Sequence, residues 1–188
     1  MEWRADARGG EYAMSDILQL VEPLIPALRR YARGLMKDTV AADDLVQDCL
    51  ERVVSHWHRR RNDDPRTWVF AILHNLAINR LRQKTRRGEH LPYDTVDEAS
   101  FAVRATQEDA LLRKDILHAL DQLLEDQRSV LLLVSVEDLS YAEVAEVLAI
   151  PIGTVMSRLS RARERLRLIL EGAAGAAQTS GAHLRRVK

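Results

Sequence analysis

The chain has 188 residues, 46% of them apolar and 30% charged, with 8 glycines and 5 prolines. That length suits one or two small domains, and the composition excludes a wholly disordered or fibrous chain in favour of a helix-rich globular one. No apolar run approaches the roughly 18 to 20 residues that cross a bilayer, and the amino terminus lacks an uncharged core followed by a cleavage site, so a cytoplasmic protein without membrane insertion is expected.

The net charge of zero hides a sorting of charge along the chain. Residues 1–88 carry 16 basic and 12 acidic side chains, residues 89–150 carry 4 and 14, and residues 151–188 carry 8 and 2. Two basic segments therefore flank an acidic middle, and between Arg59 and Arg87 nine basic residues face only Asp63 and Asp64. Such clustering concentrates positive potential where a polyanion can use it. The single cysteine, Cys49, excludes an internal disulfide and lies on an apolar helical face, where a small buried residue belongs. His56 and His58 are two residues apart, so on a helix they point to different sides and make a poor metal pair.

In chain order, Ile17, Leu20, Val21, Leu24, Leu28, Tyr31, Ala32 and Leu35 follow the three-and-four spacing of one helical face, with Pro23 and Pro26 expected to bend or restart its early part. After a break at 37–39, Leu45, Val46, Cys49, Leu50, Val53, Val54 and Trp57 repeat the pattern on a second helix that Asp38 or Thr39 would cap. The loop Asn62-Asp63-Asp64-Pro65 supplies an N-cap and a proline at the first helical position, opening a third helix through Trp68, Ile72, Leu76 and Leu81. From Gly88 to about Gln107 the periodicity stops, and Gly88, Pro92 and four acids mark an extended acidic linker. Helices are expected over Ala110 to Leu124 and Gln127 to Val136, the apolar run from Val130 to Val134 reading as helix because its flanks are helical and no strand partner exists.

Ser140-Tyr141-Ala142-Glu143 has the form of a capping box, which starts a helix through Val144, Ala145 and Leu148. That helix stops before Ile150-Pro151, and another follows from about Gly153 with Val155, Leu159, Ala162 and Leu166 on its apolar face. Two short helices joined by such a turn form a helix-turn-helix, whose second helix fits the major groove. On its other face Thr154, Arg158, Arg161 and Arg165 succeed one another at spacings of four, three and four, with Ser157 and Ser160 beside them. Arginine donates in pairs to guanine and holds phosphate, while serine and threonine adapt to either base or backbone.

The first basic segment is of a different kind. Arg59, Arg60, Arg61, Arg66, Arg80 and Arg82 are interleaved with Asn75, Asn79 and with Trp57, Trp68 and Phe70, a mixture suited to unpaired DNA. Trp57 and Trp68 lie on apolar faces and read as core before they read as stacking platforms. Asp43, Asp44, Gln47, Asp48 and Glu51 form an acidic stripe on the second helix, which repels DNA and so points to a protein partner. There is no phosphate-cradling glycine loop, no nucleophile with a base and no metal-ligand spacing, which argues against an enzyme and against any cofactor.

Three of these stretches together resemble the sigma factors of the sigma-70 family, in the extracytoplasmic-function (ECF) group. Ala42 to Asp48 is similar to the family's core-polymerase-binding segment, Arg66 to Arg82 to its −10 recognition and melting helix, and Asp138 to Leu148 with Pro151 to Arg163 to its −35-binding helix-turn-helix. Met156 stands where lysine is frequent in the family and Ser160 where histidine is common, so no −35 sequence preference carries over.

The resemblance implies an all-α fold of two small helical domains joined by the acidic linker. Its parts would be an extension over 1–14, a region 2 domain over 15–88, a linker over 89–108, a region 4 domain over 109–170 and a tail over 171–188, with Met14 an alternative start. It also implies partners: core RNA polymerase, through the beta-prime clamp helices and the beta flap, promoter DNA, and an anti-sigma factor, free or membrane-bound, with a monomeric free chain. A stand-alone helix-turn-helix regulator on operator DNA is the alternative reading.

Overall fold

Proline spacing divides the first helices of the described residues. In the computed structural model, which describes residues 14–36, 38–59, 64–87 and 116–181, helix α1 (Met14–Val21) gives way to a single 3-10 turn, Glu22–Leu24, with Pro23 at its start. Helix α2 (Ile25–Met36) then restarts with Pro26 in its first turn, where a missing N–H costs nothing. The extension before residue 14, Arg60, Arg61 and the acidic linker lie outside the described residues.

Helix α3 (Thr39–His56) is capped by Asp38, whose carboxylate accepts from the Ala41 amide at 3.0 Å, a bond worth about 1 kcal/mol. Helix α4 (Pro65–Arg87) opens on the expected proline. Before it, Asp64 accepts from the Arg66 amide at 3.0 Å and from the Thr67 hydroxyl at 3.1 Å. These helices pack around Leu28, Tyr31, Leu35, Leu45, Val53, Phe70 and Leu73, all essentially inaccessible, and Tyr31 meets Phe70 edge to face at 5.7 Å. Trp57 and Trp68 stack in the same manner at 5.9 Å, Trp57 buried and Trp68 half-buried, so both serve the core. Cys49 is buried as expected, its thiol donating weakly to the Val69 carbonyl, and burial pushes the thiol up to about 12.

In the second half, α5 (116–121) is followed by α6 (Glu125–Ser135), α7 (Tyr141–Leu148) and α8 (Ile152–Gly181). The buried Arg128 guanidinium closes the turn before α6 by donating to the carbonyls of Asp121 at 2.9 Å and Leu123 at 3.2 Å. The run Val130 to Val134 is helical, inside α6. Ser140 and Glu143 form the reciprocal capping box, with bonds of 3.3 Å and 2.7 Å. Helix α8 passes the anticipated end of the domain and continues to Gly181.

Helix α7 ends on Ala149 in the left-handed conformation, φ 52° and ψ 45°. A residue with a Cβ is disfavoured there by about 1 kcal/mol or more, and glycine is not. Ala149 is exposed, so Ala149→Gly touches little else. The substitution is expected to raise unfolding free energy by about 0.5 kcal/mol after the extra chain entropy of glycine is counted, measurable as an upward shift of the urea midpoint at unchanged slope.

The sequence pattern gives two modules; the packing makes one core of them. Helix α2 lies against α6 and α4 against α7, and the buried apolar side chains of both halves form one continuous cluster. Gly34 permits the first of these contacts, because a Cβ at that position would stand 2.7 Å from Leu132 Cδ1. A side chain at this position of α2 would oblige the Leu132 side chain of α6 to shift.

Candidate nucleic-acid and polymerase interfaces

On α3 the acidic stripe is divided between outward and inward partners. Asp44, Gln47 and Glu51 are exposed, with the Gln47 amide donating to Glu51 at 3.2 Å. Asp43 accepts from Arg33 at 3.2 Å and has Arg29 at 3.9 Å, while Asp48 is paired with Arg80. Asp44, Gln47 and Glu51 therefore present the open part of the stripe.

On α4 the expected DNA-binding residues fall into three environments. Asn75 and Asn79 are exposed one turn apart, and Arg82 is exposed beyond them. Arg80 turns the other way, donating to the Ala41 carbonyl at 3.1 Å as well as to Asp48, so it braces α4 against α3. Arg66, at the start of α4, donates to the backbone carbonyl of Glu137 in the second half. Of the arginines before α4, Arg60 and Arg61 lie outside the described residues, as does the side chain of Arg59.

His74 lies on the same helix, half-buried, with its Nδ1 at 2.9 Å from the Tyr31 hydroxyl. Burial first, then the charges of Arg158 and Arg82, lower its pKa from 6.5 to about 4. Between those two values the unfolded chain binds a proton that the folded chain refuses. Stability therefore rises with pH across this window and is lost on acidification, by up to about 1.4 kcal/mol per pH unit and about 3 kcal/mol in all. Unfolding free energies between pH 6.5 and 4 should fall more steeply for the native chain than for His74→Asn, which keeps a polar group beside Tyr31 without the titration. Burial holds Glu125 and Glu137 above the usual carboxylate range and so acts in the opposite sense in both proteins, which is why the difference between them is the quantity to measure.

On α8 the helix-turn-helix geometry is complete. Val155, Leu159 and Ala162 are buried against the rest of the domain, with Leu166 half-buried, while Ser157, Ser160, Arg161 and Arg165 are exposed. Ser157 donates to the Thr154 carbonyl at 3.1 Å, and Arg161 donates to the Ser157 carbonyl at 3.2 Å, which lays its guanidinium along the helix. Thr154 is half-buried. Arg158 is drawn sideways into a 3.1 Å ion pair with Asp126 of α6. Ile152 and Met156 are also exposed on this helix, about half accessible each, an apolar element that charge pattern alone does not reveal. A methionine there is fit to touch a thymine methyl in a major groove.

The matches to known proteins follow these same divisions. Residues 113–166 match the family model "Sigma-70, region 4", and residues 21–74 match "Sigma2 domain of PhyR". The ECF RNA polymerase sigma factor EcfG of Rhodopseudomonas palustris is 32% identical over 147 residues, covering 78% of this chain and 80% of that protein. The chain is a member of the ECF group of sigma-70 family sigma factors. The ECF RNA polymerase sigma factor SigE of Mycolicibacterium smegmatis is 33% identical over 168 residues, and there the match covers 86% of this chain but only 64% of the relative. Among solved structures, the sigma factor RpoE of Bartonella quintana, in complex with the anti-sigma factor NepR, superposes with a TM-score of 0.72 at 29% identity over 84% of this chain and 98% of that one.

Membership gives the three surfaces of this sigma factor a common frame. The acidic face of α3, the amide-bearing face of α4 and the cationic face of α8 sit on one all-helical body. No helix among the described residues is long and apolar enough to cross a membrane.

Proposed function

We propose that this sigma factor directs core RNA polymerase to promoters and opens them, with residues 15–88 as the polymerase-binding and −10 domain and residues 109–170 as the −35 domain. The observation that carries this reading is the exposed polar and cationic face of α8, set behind a helix α7 capped at both ends and accompanied by a second surface of exposed amides on α4. A duplex reader alone needs only the former.

Asp44, Gln47 and Glu51, with Asp43 and Asp48 behind them, dock on the beta-prime clamp helices, and the second domain rests on the beta flap. Asn75, Asn79 and Arg82, with Arg59, Arg60, Arg61 and Arg66, hold the melted −10 strand, while Arg80 acts as a brace. Thr154, Ser157, Arg158, Ser160, Arg161 and Arg165 take the −35 duplex. The acidic linker, 89–108, follows the nucleic-acid path through the polymerase. The chain has no catalytic centre of its own, works in the cytoplasm as a monomer when free, and is held inactive by an anti-sigma factor, soluble or membrane-bound. The solved relatives bound to NepR and to the cytosolic domain of CnrY support that last step.

The test is reconstitution. Purified chain added to core polymerase should co-elute with it and give transcripts that start at a promoter selected from genomic DNA. Tight operator binding by the chain alone, with neither co-elution nor transcript, would overturn the reading in favour of a stand-alone regulator.

A further inference from the structure

Helix α8 presents two unlike flanks on either side of its outward direction. At about 100° per residue, Thr154, Arg158, Arg161 and Arg165 line one flank, while Ile152 and Met156, four residues apart, line the other. Ile152 is 50% and Met156 53% exposed, and both lie in the first five residues of the helix, the end that a recognition helix sets against base edges. A lone exposed apolar side chain is ordinary, but these two stand together where the polar groups around them are already occupied. The Ser157 hydroxyl donates to the Thr154 carbonyl at 3.1 Å, the Arg158 guanidinium is paired with Asp126 at 3.1 Å, and Thr154 is half-buried. The uncommitted side-chain surface at the leading end of α8 is therefore apolar. Gly153 adds an independent sign. Its backbone is not left-handed and a Cβ there would meet no atom within 4 Å among the described residues, so nothing in their packing asks for glycine, which weakens a helix relative to alanine. What glycine supplies here is clearance for a surface that approaches from outside the chain.

We propose that Ile152 and Met156 are sequence-reading residues of this sigma factor, which select thymine in the −35 element by packing against its C5 methyl group. The idea rests on the promoter-reading function above and adds to it a base preference, drawn from a flank that carries none of the residues assigned there. In the major groove only thymine displays a methyl group, whereas cytosine presents an amino group and the purines present ring nitrogens with exocyclic donors or acceptors. An apolar side chain set against those polar edges removes their water without replacing the hydrogen bond, so it disfavours the other bases as well as favouring the methyl. Met156 is unbranched and adapts its thioether chain to the groove, while Ile152 is stiff at its β-branch and acts as a fixed wall. The two positions are about 6 Å apart along the helix axis, or about two base steps, so the thymines they read are neighbours or next neighbours. Charge and methyl recognition then belong to opposite flanks of one helix.

The test uses the full chain bound to core polymerase and promoter fragments randomised across the −35 element. Retained fragments should carry thymine at one or two fixed positions. Remade with deoxyuridine there, which keeps the base pair and lacks only the methyl group, they should bind about fourfold more weakly for each methyl removed. In Met156→Lys the penalty at the thymine it touches should vanish, while the slope of log affinity against log salt steepens by about one. Ile152→Ser should abolish the penalty at its own thymine with the slope unchanged. Neither side chain belongs to the buried face of Val155, Leu159 and Ala162, so both variants are expected to fold, with unchanged helical content as the control.

Deoxyuridine tolerated as well as thymine at every selected position by the unmodified chain would overturn the proposal, with no variant needed. A penalty that persists at full size in both Met156→Lys and Ile152→Ser would overturn it too, by giving the methyl contact to another residue. Failure of the unmodified chain and polymerase to retain any fragment would instead count against the promoter-reading function, which requires retention but no sensitivity to the methyl group.

Discussion

Reversing Asp44 and Glu51 to lysine is expected to weaken association with core polymerase by about tenfold or more, while the paired change Arg161→Ala and Arg165→Ala leaves that association intact and lowers −35 promoter use by about thirtyfold. The first figure follows from turning an exposed complementary charge repulsive at two places about two turns apart. The second follows from removing two arginines that each hold a base or a phosphate, at about 1 to 3 kcal/mol where a bidentate base contact is lost. Asp44 and Glu51 are the right acids to reverse because both are exposed, whereas Asp48 is tied to Arg80 and Asp43 to Arg33, so changing those would also loosen α3 from α4 or α2. Filter binding of polymerase and run-off transcription separate the two losses. The salt dependence of promoter binding should also flatten by about one unit of slope for each arginine that contacted phosphate. Equal loss of polymerase binding in both variants would refute the division of labour between α3 and α8.

Phe70→Ala is expected to cost about 3 to 5 kcal/mol, a large share of the roughly 5 to 15 kcal/mol that holds a domain folded. Phe70 is wholly buried, meets Tyr31 edge to face, and lies on α4, which packs against α7. Because the apolar cluster is continuous, the effect should cross into the second half: amides of α7 should lose protection against hydrogen exchange together with those of α3. At roughly 2 to 4 °C per kcal/mol for a chain of this size, the melting temperature falls by about 10 °C. Protection of α7 that is untouched by Phe70→Ala would show that the two halves fold independently in solution.

Much of the candidate site was legible before any coordinates. The exposed α8 face is legible from helical spacing, because an amphipathic helix writes its exposed face into the sequence every three or four residues, whereas the α4 amides stand out by their mixture with arginines and aromatics. The caps were legible for a similar reason, since Asp38, Asp64 and the Ser140–Glu143 pair act over no more than three residues. The start of α6 at Glu125, two residues before the expected Gln127, and the end of α5 at residue 121 are ordinary boundary differences set by the Arg128 hydrogen bonds. Roles that depend on distant partners were not legible. Arg80 has the charge and place of a DNA contact, and only the approach of α3 turns it into a brace. Glu137, whose buried carboxylate accepts from Arg30 and whose carbonyl accepts from Arg66, carried no signal at all, an acid beside another acid in a short turn.

By itself the sequence determined the helices, their caps, their order, the helix-turn-helix and the kinship with ECF sigma factors, all of which rest on local spacing and on motifs a few residues long. Only the tertiary structure decided that the two modules share a core, which arginines face solvent and which are occupied, and that Glu137 sits where three chain segments meet. The physical reason is range. A backbone cap or a helical face is fixed by neighbours in sequence, whereas the partner of a charge 71 or 107 residues away is fixed by how closely two helices approach, which no local pattern encodes.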